Sequence, residues 1–74
     1  MTSTTYTVSG MTCGHCVAAV TGEISKLPGV EQVSVDLVAG GESAVTVTSE
    51  SPLPEAAVRE AVDEAGYQLT GVSG

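Results

Sequence analysis

Apolar positions along this chain switch between a period of two and a period of three to four, and the switches divide its 74 residues into six elements. From residue 3 to 9, Tyr6 and Val8 fall on one face and Thr5, Thr7 and Ser9 on the other, as in a half-buried strand. Gly10 breaks the run. From Cys16 onward, Val17, Val20, Ile24 and Leu27 recur every three or four residues and form one stripe of an amphipathic helix. Thr12 is the expected cap at its start, and Pro28-Gly29 its end. Gly22 sits inside this helix at a cost of about 1 kcal/mol relative to alanine, which implies local flexibility or a close backbone contact.

Period two returns from Val30 to Leu37, with Val33, Val35 and Leu37 inward and Ser34 and Asp36 outward. Ala39-Gly40-Gly41-Glu42 reads as a turn and Ser43 to Ser49 as the next strand, with Val45 and Val47 inward, so the two strands form a hairpin. Ser51-Pro52-Leu53-Pro54 is a breaker cluster, and Pro54 is expected at the first position of a second helix running to Ala65. Leu53, Ala57, Val58, Ala61, Val62 and Ala65 form its apolar side; Glu55, Arg59, Glu60, Asp63 and Glu64 are solvated. Gly66 is the left-handed cap, and Tyr67 to Val72 a last strand. Strand, helix, strand, strand, helix, strand is the order of an α+β, ferredoxin-like sandwich, two helices on one face of a four-stranded antiparallel sheet. With no linker, low-complexity tract or repeat, residues 1–74 are expected to form one domain.

Nine acidic residues against two basic ones, Lys26 and Arg59, give a net charge of -7. That balance excludes the phosphate-neutralising surface of a nucleic-acid binder, and any charged partner should be basic. The first residues hold neither a cationic segment nor an apolar run, and no stretch is long enough to insert into a membrane, so a cytoplasmic protein is expected. Two cysteines are normally reduced in that compartment. A domain this small has a limited core and little room for a catalytic cleft.

The chemistry is concentrated in Gly10-Met11-Thr12-Cys13-Gly14-His15-Cys16, which holds both cysteines and the single histidine. A C-x-x-C in an intracellular chain is a redox pair or a metal pair. A closed zinc site needs four ligands and iron–sulfur clusters usually need four cysteines, whereas two thiolates satisfy copper(I). At a helix start, exposed amides favour the thiolate of Cys16. The ligand count therefore favours a monovalent soft ion; a mercury, zinc or silver carrier and a thiol–disulfide redox protein are the alternatives.

This heptapeptide, the helix that follows it, Pro28-Gly29-Val30 and Ala65-Gly66-Tyr67 resemble the heavy-metal-associated domain family, and within it the small bacterial cytosolic copper chaperones of the CopZ type. The resemblance covers about residues 5–72. It implies that Cys13 and Cys16 are the copper(I) ligands and that Met11 packs beneath the metal loop. Thr12, Gly14 and His15 complete the loop, with His15 at its variable position, and Tyr67 lies close by. Family members that handle zinc or cadmium often carry aspartate where this chain has Thr12, which favours copper. The resemblance further implies a non-enzymatic carrier with no catalytic residues. Its expected partner is the metal-binding domain of a copper-transporting P-type ATPase, with a copper-responsive repressor as a second candidate. A monomer is expected, with a copper-bridged dimer as the alternative.

Overall fold

Alternation on β1 (Thr2–Ser9) sends Tyr6 and Val8 into the interior and leaves Ser3, Thr5, Thr7 and Ser9 on the opposite face. The computed structural model describes residues 1–73. After β1 come α1 (Gly14–Ser25), β2 (Val30–Asp36), β3 (Glu42–Ser49), α2 (Glu55–Glu64) and β4 (Gln68–Ser73). The strands form one antiparallel sheet in the order β2-β3-β1-β4, which is the ferredoxin-like arrangement expected from the sequence. β1 and β3, the two central strands, pair from Thr2↔Ser49 to Ser9↔Glu42.

Side chains from every element except β2 meet in the core: Tyr6, Val8, Met11, Cys16, Val20, Ile24, Val45, Val47, Val58, Ala61, Val62 and Leu69 are buried. Val33, Val35 and Leu37 are half-buried against its edge. Each fully buried aliphatic side chain contributes about 1.5–3 kcal/mol. Across the open face of the sheet, hydroxyls pair between strands, Ser3 Oγ with Thr48 Oγ1 and Thr5 Oγ1 with Thr46 Oγ1, both at 3.2 Å. β1 and β4 slip register between Thr7 and Val8, and the Thr70 hydroxyl donates to the Thr7 carbonyl at 3.1 Å.

Two helix starts differ from the sequence reading. Cys13, not Thr12, is the N-cap of α1: its backbone is extended and its carbonyl accepts from the amides of Cys16 and Val17 at 3.1 and 3.3 Å. Thr12 stands one residue outside the cap, and its amide and hydroxyl turn to the Cys16 sulfur instead. Pro54 likewise caps α2 and is not its first residue, because its φ of -61° suits a helix but its ψ of 132° is extended. At the other end α1 stops before Leu27, which still packs half-buried against the core. A Cβ built on Gly22 meets nothing within 4 Å, so no close backbone contact explains that glycine.

Candidate metal centre

β1 and α1 are joined by a four-residue passage that carries the functional groups, and its shape begins at Gly10. There φ is +94°, a left-handed value that costs a side-chain-bearing residue about 1–2 kcal/mol. A Cβ at this position would lie 3.4 Å from Cδ1 of Tyr67, so the backbone turns directly against that ring. Met11 then drops into the core, fully buried. Thr12, Cys13, Gly14 and His15 are exposed, and Cys16, in the first turn of α1, is only 8% exposed.

The two sulfurs lie 3.8 Å apart, both as free thiols. Their surroundings differ. Cys16 Sγ receives the Thr12 amide at 3.5 Å and has the Thr12 hydroxyl at 3.8 Å. Hydrogen bonding to the thiolate from the Thr12 amide, then from the Tyr67 hydroxyl and the Cys13 amide, outweighs burial and lowers its pKa from 9.0 to about 6. In return, the Cys16 sulfur pushes the Tyr67 hydroxyl above its ordinary value. The donors around Cys16 thus favour its thiolate form, while Cys13 lies exposed at the start of the helix. Among the described residues, no group of three or more His, Cys, Asp or Glu side chains is placed to hold an ion.

The family model for the heavy-metal-associated domain matches residues 5–68. This chain belongs to that family. Among curated relatives, the copper chaperone CopZ of Enterococcus hirae is 35% identical over 63 residues, which is 85% of this chain and 88% of that protein. Human copper-transporting ATPase 2 is also 35% identical, over 71 residues and 96% of this chain, but the chain spans only 5% of the ATPase's length. A solved CopZ metallochaperone superposes with a TM-score of 0.80 at 28% identity, covering 93% of this chain and all of that one. The heavy-metal-associated fold thus accounts for the sheet order and for the loop on which the cysteine pair stands.

Sequence reasoning placed Cys13, Cys16, Met11 and Tyr67 together, and the structure brings them to one end of the sandwich. It did not foresee that Thr12 would contact the second sulfur through both backbone and side chain. Nor did it foresee the packing of Gly10 on Tyr67. A glycine directly after a strand signals a positive φ, but its neighbour across 57 positions of sequence is visible only once β4 is in place. Among the described residues, no helix is long and apolar enough to cross a membrane.

Proposed function

We propose that this chain is a cytoplasmic carrier of copper(I), holding the ion between Cys13 and Cys16 and handing it to a heavy-metal-associated domain of a copper-transporting P-type ATPase. The observation that carries the reading is the pair of free cysteine sulfurs 3.8 Å apart at the start of α1. Thiolates prefer soft ions, and a two-donor site is incomplete for zinc but sufficient for copper(I). Relatives of matching length named as copper chaperones support the same assignment.

Geometry suggests how the ion is exchanged. If copper–sulfur bonds resemble the roughly 2.3 Å of zinc thiolates, a linear pair separates its sulfurs by about 4.6 Å and a trigonal site by about 4.0 Å. Loading as a linear pair therefore opens the present separation, and the exposed Cys13 can supply that movement while Cys16 stays on its donors. When a partner thiolate arrives, a third copper–sulfur bond forms and the site closes back toward its resting width. The Cys13–copper bond then breaks first, Cys16 last. No electron changes hands; each thiol that becomes a ligand gives its proton to solvent, and a released thiolate can take one back.

Anaerobic titration of the reduced chain with copper(I) against a competing chelator tests this. About one ion should bind per chain, with zinc far weaker, as two soft donors require. Cys13→Ser and Cys16→Ser should each abolish competition with the chelator. Tight zinc binding with four donors, or retained copper affinity in Cys13→Ser, would overturn the proposal.

A further inference from the structure

The two edges of the sheet differ in charge. β2, at one edge, carries Glu31 and Asp36, both exposed. β4, at the other, runs Gln68-Leu69-Thr70-Gly71-Val72-Ser73 with neither a charged residue nor a proline. An edge strand presents unpaired backbone N–H and C=O groups, and charges or prolines there keep a second chain from pairing with them. One edge of this sandwich is guarded in that way and the other is not.

Val72 marks the unguarded edge a second time. It pairs with Tyr6 of β1, so the two side chains share the core face, yet Tyr6 is 2% exposed and Val72 45%. Among the described residues β4 ends the sheet, so no further strand lies beside Val72. The register slip between Thr7 and Val8 does not reach it: Gly71, Val72 and Ser73 pair in sequence with Thr7, Tyr6 and Thr5.

We propose that β4 pairs with β4 of a second copy, antiparallel about Val72, to give one eight-stranded sheet. A two-fold axis normal to the sheet sets the two valines opposite each other, with Cα atoms about 4.5–5.5 Å apart, and keeps the helices of both copies on one face. A second copy is the occupant that charge favours. With -7 on each chain, two copies meet at least cost along an edge that carries no charge. An edge of six residues spans about 20 Å and buries less than the roughly 800 Å² per partner of a standard interface, so the dimer is weak and follows concentration. Antiparallel pairing also points the two metal loops in opposite directions. The contact therefore needs neither copper nor the cysteines, and it stands or falls apart from copper carriage.

Sedimentation equilibrium of the reduced, metal-free chain from about 10 μM to about 1 mM, the range that weak contacts require, tests this. The apparent mass should rise with concentration toward that of two chains. Raising salt from about 0.05 to about 0.5 M should tighten association at least about twofold by screening the like charges. Val72→Lys should weaken it at least about tenfold, whereas Val38→Lys, the same change of charge at another exposed valine, should change it less than about twofold. Hydrogen exchange of amides within Gly71–Ser73 should slow as concentration rises. Cys13→Ser with Cys16→Ser should dimerise like the native sequence. Both lysine sites are exposed, and an unchanged thermal midpoint checks folding. A monomer throughout, association weakened by salt, equal effects of the two lysines, no slowing in β4, or a dimer that needs copper or the cysteines would each overturn the proposal.

Discussion

Replacing Gly22 with alanine should stabilise this protein, and the structure sets the size of the gain. Gly22 lies inside α1, is exposed, and has nothing within 4 Å of the position a Cβ would take. The new methyl neither clashes nor becomes buried, so only the difference in helix propensity remains, about 0.8–1.0 kcal/mol in favour of alanine. A chain of 74 residues at roughly 0.05–0.15 kcal/mol per residue has a total stability of about 4–11 kcal/mol, so the gain is a sizeable share. The thermal midpoint should rise by about 4–8 °C. Urea unfolding of the reduced metal-free chain should show a higher midpoint and the same slope. Copper affinity should not change, because the Cys16 contacts are made before the first turn of the helix is complete. The same substitution at Gly10 should have the opposite sign, losing about 1–2 kcal/mol to the left-handed backbone. No gain at Gly22, or a loss there, would show that the helix does not owe its weak point to backbone entropy.

Further outcomes can be checked on the same preparation. Absorbance at the thiolate band should titrate with a midpoint of about 6 for Cys16, and Tyr67→Phe should raise that midpoint by removing a donor. Because the folded pKa lies below the ordinary 9.0, the contribution of Cys16 to stability is complete above pH 9.0 and is lost as pH falls through about 6, and Cys16→Ser should flatten that dependence in urea unfolding. Ile24→Ala empties a fully buried position in α1 and should cost about 2–5 kcal/mol by chemical denaturation. A ligand at a hundred times its dissociation constant restores about 2.7 kcal/mol, so loading with copper should recover much of that loss. Arg59→Ala breaks only an exposed pair with Glu55 and should shift stability by no more than about 0.5 kcal/mol.

The periodicity of the sequence was enough for the six elements because each period answers to one buried face. Tyr6 and Val8, Val45 and Val47, and Val20 and Ile24 all point where their spacing places them. The ends were harder to read for a local reason: a cap is decided by ψ of one residue, and Thr12 and Pro54 carry side chains compatible with either side of the boundary. The cysteine pair was legible because its chemistry is written in three-residue spacing. Its asymmetry was not, since that depends on Tyr67 arriving from the far end of the chain and on the direction of the Thr12 amide.

That asymmetry connects the fold with carriage of an ion. Two equally free thiols would release a soft ion to any competitor, and two equally fixed ones would resist an incoming ligand. Here Cys16 belongs at once to the core stripe Cys16, Val20 and Ile24 and to the metal loop, so the packing that folds α1 also fixes one sulfur. Cys13 belongs to the loop alone: it caps the helix with its backbone and leaves its side chain in solvent. Transposing the two roles would require a buried residue at the cap and an exposed one on the core stripe, which the helical period forbids. In the proposed exchange, the order of release follows from the same apolar spacing that builds the helix.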